Sequence, residues 1–331
     1  MAISNFRMVS QYECMNAERR NTQVFIHINF NLFPISHCRG RQNLTLFALL
    51  SVLKEDAHFV INSFQSCDSN NLYNDSLVGL FDGHGGRGTV DFVSHALPQN
   101  LEHILQKEGA QDDIERSLRA AFLLTDIQTK DAVKDRGSGA TGVCCFVRRT
   151  LSLDETKDRE VDSNEGGCTE QTTLYVANCG DSRAVLCHDG RPLRLTYDHK
   201  GEDVYEQKRI ATAQGFTHGG RTLGILAVSR SFGDHAFKEF VTADPHLTSR
   251  HLAGADVNPF LIVCCDGVWD VISDDEAVEM VAAISVKQRK IEQCEDATNV
   301  EQLEQEAAKY LVEESLKRGS SDNLSAIVLF F

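Results

Sequence analysis

Three apolar runs in this chain end at, or begin just after, an aspartate beside a small or polar residue: Asp82-Gly83, Asp266-Gly267 and Asp322-Asn323. The first is the densest. Leu77-Val-Gly-Leu-Phe-Asp82-Gly-His84-Gly-Gly86 closes an apolar run with a carboxylate, an imidazole and three glycines. A carboxylate is a hard oxygen ligand, an imidazole moves protons near neutral pH, and glycine lets the backbone turn sharply and approach a bound group. That combination suits metal-assisted hydrolysis of a phosphate. Strand ends meet at a sheet edge, so carboxylates placed there can converge, and Glu55-Asp56, just before another apolar run, can join them. Clustered carboxylates repel unless cations lie between them, and oxygen-only ligation selects Mg2+ or Mn2+ over zinc. Taken singly, each aspartate also fits an ordinary turn. The joint pattern is what points to a site.

The elements that must position these residues can be read from periodicity. Residues 57–64 and 76–81 read as strands of a hairpin. Residues 88–107 carry Val90, Val93, Leu97, Leu101 and Ile104 at helical spacing, with Pro98 expected to kink or split the helix. A second helical pattern runs through Ile114, Leu118, Ala121 and Phe122, and a strand follows over 142–147. Residues 148–171, polar and acidic, read as a surface loop between two strands. Beyond it lie a strand ending in Gly180-Asp181, a hairpin turning at Asp189-Gly190, and a polar flap over 198–220 around a short helix. The run ending at Asp266 is followed by Ser273-Asp-Asp-Glu276, a capping box opening a helix; a last helix and a terminal strand close the chain. Hairpins dominate and βαβ alternation is absent from this pattern, so the expectation is antiparallel sheets with helices packed outside them.

Composition narrows the function. The 331 residues are 42% hydrophobic, enough for a substantial core. A net charge of −15 argues against nucleic acid or an anionic membrane as partner, though cations can still let an acidic protein handle phosphate. The 11 cysteines include no Cys-x-x-Cys pair, and Cys144-Cys145 and Cys264-Cys265 sit in apolar runs where strand neighbours point to opposite faces. Buried reduced thiols are expected, as in a reducing compartment. No apolar run reaches membrane-span length and the first residues lack a signal-peptide pattern. The expectation is a soluble monomer of the cytoplasm or nucleus.

The motifs together resemble the metal-dependent protein phosphatases of type 2C. They are Glu55-Asp56-Ala57-His58, Asp82-Gly-His-Gly-Gly86, Gly139-Ala-Thr141, Cys179-Gly-Asp-Ser-Arg183, Asp198-His-Lys200, Leu226-Ala-Val-Ser-Arg230 with Gly233-Asp234, Cys265-Asp-Gly-Val-Trp-Asp270 and Ser321-Asp-Asn323, in the family's order from about residue 55 to the end. The resemblance implies an α+β fold of two stacked antiparallel β-sheets flanked by α-helices, an α/β/β/α sandwich with metals at one edge, in a single catalytic domain spanning residues 1–331. It implies phosphorylated protein substrates, hydrolysed at serine and threonine by a water that two Mn2+ or Mg2+ ions activate. Asp82 would bridge the ions, with Gly83 lending its carbonyl; Asp266 and Asp322 would hold one ion, and Glu55 would help hold the other. Asp181 and Thr141 lie near a weaker third site that Asp266 also serves, and Asp56 and Asp270 belong to the surrounding shell. His84 would protonate the leaving alkoxide. Arg183 and Arg230 are expected to be structural.

One region departs from the pattern. The family places a phosphate-binding arginine four residues before the Glu-Asp pair, where this chain has Ser51. Residues 24–54 contain no Asp or Glu and show no sustained period. With them deleted, Arg20 falls into the expected place. The segment starts with valine, whose codons begin GT, ends with lysine, whose codon can end AG, and keeps the reading frame. It reads either as a translated intron or as a true insertion loop. The disrupted arginine supports one alternative function, an impaired pseudophosphatase acting as a scaffold; a phosphohydrolase of small phosphoesters is another.

Overall fold

The computed structural model describes residues 23–26, 45–52, 55–64, 73–107, 109–153, 168–252, 259–292 and 298–331. Two antiparallel sheets dominate these residues. One has five strands in the order His246–Leu252, Cys168–Cys179, Gly142–Leu153, Tyr73–Phe81, Ala57–Phe64. The other has six, in the order Gln23–Ile26, Thr45–Val52, Leu324–Phe330, Phe260–Cys264, Arg183–His188, Arg191–Arg194.

Strand alternation sorts the core into layers. Leu77, Phe81, Cys144 and Phe146 point one way, against Leu97 and Leu101 of the Gly88–Leu105 helix and Leu118 and Phe122 of the Ile114–Ala132 helix. Val78, Leu80, Val143, Cys145 and Val147 point the other way, into a core shared with Leu186, Ile262 and Val328 of the second sheet. Val278 and Val281 of the Asp274–Glu292 helix and Leu311 of the Thr298–Lys317 helix join that core. The result is the helix–sheet–sheet–helix sandwich expected from the motifs. Cys144, Cys145, Cys179, Cys187, Cys264 and Cys265 are buried free thiols, and each adjacent pair is split across a strand's two faces or its end. Among the described residues, no helix is long and apolar enough to cross a membrane.

Local signals mostly hold. The hairpin turns through Asp189 at φ 49° and Gly190 at φ 74°, the left-handed pair that a two-residue turn requires. Ser273 and Glu276 close the capping box reciprocally: the Ser273 N–H donates to Glu276 Oε2 at 3.0 Å and the Glu276 N–H donates to Ser273 Oγ at 3.3 Å. The flap carries a short helix, Val204–Thr212.

Three expectations are corrected. Pro98 does not split its helix, which runs unbroken from Gly88 to Leu105; Leu97, Pro98 and Leu101 are buried together, and that packing offsets the one backbone bond proline cannot donate. The loop over 148–171 is shorter than its polarity suggested, because Gly142–Leu153 and Cys168–Cys179 pair up to Leu153↔Cys168. Arg148 is buried in the sheet, its Nε and Nη2 forked onto Asp75 at 2.9 and 2.7 Å. Residues 24–54, which show no period, contain strand: Thr45–Val52 lies between Gln23–Ile26 and Leu324–Phe330. A strand covered on both faces need not alternate apolar and polar residues, and the Thr298–Lys317 helix packs against this one, so periodicity misses it.

Candidate active site

The Tyr73–Phe81 strand delivers Asp82 to the sandwich edge, where its carbonyl accepts a hydrogen bond from the Thr141 N–H at 2.8 Å. The next two residues, Gly83 and His84, pair with Ala140 and Gly139. Gly83 passes so close to the segment carrying Glu55 that an added Cβ would lie 2.4 Å from the Glu55 carbonyl oxygen. That close approach brings Glu55-Asp56 beside Asp82-Gly83.

The second sheet supplies the opposite wall. Asp266 opens the Asp266–Trp269 helix directly after the Phe260–Cys264 strand. A Cβ on Gly267 would meet the Asn323 carbonyl at 2.3 Å and Asp322 Cβ at 3.1 Å, so the two aspartate turns abut. Ser325, in the final strand, donates its hydroxyl to Asp56 Oδ2 at 2.5 Å and ties the two walls together. Ser51 is the register partner of Ser325, so Thr45–Val52 is the strand that leads the chain to Glu55.

Electrostatics then single out the cluster. Asp82 lies close enough to Asp56 and Asp266 for both to act on it. Burial, then the charges of Asp56 and Asp266, pushes the Asp82 carboxyl up to about 10. Burial is also the main cause at Asp56, raised to about 6, and at Asp181, raised to about 7 with Asp266 adding to it. Asp266 is raised by burial and then by Asp322. Asp56 Oδ1 and Asp266 Oδ1 are buried without a hydrogen-bond partner. Asp322 is exposed and Glu55 half-buried. Among the described residues no three of these groups close to a metal-binding arrangement. Yet orphaned carboxylate oxygens, crowded like charges and an all-oxygen donor set are what a hard divalent cation would satisfy, so the residues fit Mg2+ or Mn2+. A nearby cation of the protein's own is Lys200, whose Nζ lies 3.4 Å from Asp270 Oδ1 and 4.0 Å from Asp181 Oδ2.

His84 flanks the cluster. Its Nε2 lies 2.8 Å from Oδ2 of Asp234, a fully buried carboxylate. Burial pulls the imidazole pKa down, but the hydrogen bond and charge of Asp234, with Asp181 and Glu55 behind them, leave it above its ordinary value. Thr141 is buried beside the cluster, its hydroxyl 2.8 Å from that of Ser182. Arg183 binds Asp198 and Asp274 and lies over the Trp269 ring, and Arg230 binds Glu206 and the Asp244 carbonyl. Both are tied into the scaffold, as expected. Arg20 lies outside the described residues.

Sequence reading missed two partners, Asp234 for His84 and Lys200 for Asp181. Both lie inside the family motifs, but nothing in their spacing says what they touch. Asp234 is 150 residues from His84 in the chain.

A sequence profile of protein phosphatase 2C matches residues 50–324. Protein phosphatase 2C homolog 1 of Saccharomyces cerevisiae is 33% identical over 276 residues, 83% of this chain and 87% of that protein. Protein phosphatase 2C homolog 1 of Schizosaccharomyces pombe is 33% identical over 277 residues, 83% of this chain and 68% of that protein. Among solved structures, a phosphatase from a pathogenic strain of Toxoplasma gondii shares the fold, with a TM-score of 0.60 at 20% identity over 85% of this chain and 92% of that one. The chain belongs to the protein phosphatase 2C family, and is by that membership a protein serine/threonine phosphatase.

Proposed function

We propose that the chain hydrolyses phosphoserine and phosphothreonine in proteins at the edge where Asp82, Asp266, Asp322 and Glu55 meet. The observation that carries this reading is the buried carboxylate cluster with unpartnered oxygens, set beside a histidine. Asp82 and the Gly83 carbonyl would serve two Mn2+ or Mg2+ ions, Asp266 and Asp322 one of them and Glu55 the other. Asp56 holds the walls together through Ser325, and Asp181 with Asp266 would form a weaker third site. When bound, such cations supply an activated water and neutralise the phosphate's charge. His84 gives a proton to the departing serine or threonine oxygen, and Arg20 steadies the phosphate. The substrate is a phosphorylated protein, met by a single catalytic domain acting as a monomer. Residues 24–54 are an anomalous insertion within that domain.

The test is phosphate release from a phosphothreonyl peptide, with and without Mn2+, by the full chain and by a chain lacking residues 24–54. Both are expected to turn over only with metal. The shorter chain, with Arg20 restored to the expected spacing, should be faster by on the order of 10²-fold, the usual effect of one charge-stabilising group. Absence of metal-dependent release from both proteins sinks the enzyme reading. A higher kcat/KM for small phosphoesters than for the peptide would replace the substrate.

A further inference from the structure

Three two-residue strands lie side by side in the order Phe232–Gly233, Gly139–Ala140, Gly83–His84. His84 ends one outer strand and Asp234 follows the other, and those side chains meet across the middle one. They meet over Gly139. A Cβ there would lie 2.1 Å from Asp234 Oδ2 and 2.3 Å from His84 Nε2, so the contact passes through the space that glycine leaves.

Everything around Asp234 holds it in that place. Its backbone is in the left-handed region at φ 48°, a conformation that a non-glycine residue adopts at a cost. Its N–H donates to the Ser138 carbonyl at 3.0 Å, in the segment that leads into Gly139. The Ser231 hydroxyl donates to Oδ2 at 2.5 Å, the same oxygen that meets His84. The preceding Gly233 N–H is fixed on Asp126 Oδ1 at 2.9 Å. Oδ1 of Asp234 is buried without a partner. A buried carboxylate held in strained backbone, with one oxygen left unpaired, is costly to the fold. A histidine merely completing a turn does not call for it.

We propose that Asp234 is the positioning residue of His84. It fixes the imidazole with its Nε2–H on the carboxylate, leaving Nδ1 for the leaving oxygen of the substrate. The role rests on the reading of His84 as the acid. As the P–O bond breaks, its electron pair stays on the serine or threonine oxygen and the Nδ1 proton moves to that oxygen. The ring is then neutral, with its remaining proton on Nε2 and still bonded to Asp234. Gly139 keeps the slot open, and Ser231 aims the carboxylate.

The experiment compares His84→Gln, Asp234→Asn, Gly139→Ala and the His84→Gln/Asp234→Asn pair in the Mn2+-loaded enzyme, using a phosphothreonyl peptide and an aryl phosphate. An aryl oxide leaves without help, so loss of a correctly held acid shows on the alkyl substrate. Asp234→Asn and Gly139→Ala should lower kcat on the peptide by roughly 10–100-fold. The aryl phosphate should lose less than about 3-fold, with KM and the Mn2+ midpoint unchanged. The pair should be no worse than His84→Gln alone. Nitrogen-15 spectra of the wild-type imidazole should show the neutral ring protonated at Nε2. Equal losses on both substrates from Asp234→Asn, additive losses in the pair, or a neutral wild-type ring protonated at Nδ1 would overturn the proposal. The spectrum needs no variant, so it decides the matter if Asp234→Asn does not fold. Selective loss in His84→Gln without it in Asp234→Asn overturns only the role of Asp234. Equal losses on both substrates in His84→Gln overturn the acid itself.

Discussion

Asp82→Asn is expected to lower turnover by at least about 10³-fold while leaving the fold intact, because charge stabilisation by metals is worth several kcal/mol and each 1.4 kcal/mol is tenfold. The structure gives two reasons for expecting the fold to survive. The metal-free Asp82 carboxyl is pushed so far up by burial and by Asp56 and Asp266 that it is already neutral at pH 7. An amide has the same shape as a neutral carboxyl and can donate to both of those aspartates. Melting of the metal-free variant at pH 7 should therefore be no lower than the parent's, and higher, because the parent must take up a proton at Asp82 as it folds and the variant need not. The rise in melting temperature that Mg2+ or Mn2+ gives the parent should vanish, since a ligand that binds only the native state stabilises it by mass action. Asp266→Asn should behave alike, as its own carboxyl is raised by burial and by Asp322. Phosphopeptide turnover and melting curves with and without metal check both variants. Unchanged turnover in either contradicts the site.

The residues of this prediction were legible in the sequence because each lies where an apolar run stops or starts, and the end of a buried strand is a place that sequence can locate. Asp82, Asp266 and Asp322 are of this kind. So are the opposite faces of Cys144 and Cys145, which follow from strand geometry alone. What could not be read depends on contacts between distant elements. The His84–Asp234 pair exists only because three two-residue strands align and the middle one has a glycine at the crossing. Arg148 looked like loop because a charge in sequence reads as solvent-facing, yet Asp75 on the neighbouring strand lets it be buried. Thr45–Val52 was hidden for another reason, since a strand covered on both faces carries little alternation to detect. Its pairing with Leu324–Phe330 gives residues 24–54 a structural place that composition alone did not suggest. A chain without them must fill the position beside the final strand with residues now further toward the amino terminus.

The same carboxylates fix how stability responds to pH when no metal is bound. Asp82 and Asp181 hold their protons more tightly in the folded chain than in the unfolded one, Asp82 to about 10 and Asp181 to about 7. A raised folded pKa contributes stability that is complete below the unfolded value, near 4, and is lost as pH rises through the folded value. Other groups act elsewhere. His58 and His199, lowered by burial to about 4 and about 3, favour the fold as pH rises through the ordinary histidine range, so they offset the carboxylates below pH 7. Glu206 is desolvated, but Arg230 and Arg209 hold it at about 2, and its contribution is lost only in acid. Buried thiols such as Cys145 enter only when unfolded cysteines begin to ionise, near pH 9. Between pH 7 and 8.5 the aspartates therefore dominate, and Asp82 keeps its proton across the whole interval. One group protonated only in the folded state costs about 1.4 kcal/mol per pH unit, or about 2 kcal/mol over this window. For a domain of this size that lowers the melting temperature by about 3 °C. Asp82→Asn carries no proton to lose and should flatten the slope. Saturating Mg2+ should flatten it as well, because a bound cation requires the carboxylates ionised and replaces the proton's stabilisation with its own. A metal-free melting temperature that rises from pH 7 to 8.5, or an Asp82→Asn slope as steep as the parent's, would show that Asp82 does not sit unneutralised in the buried cluster from which the metal site is inferred.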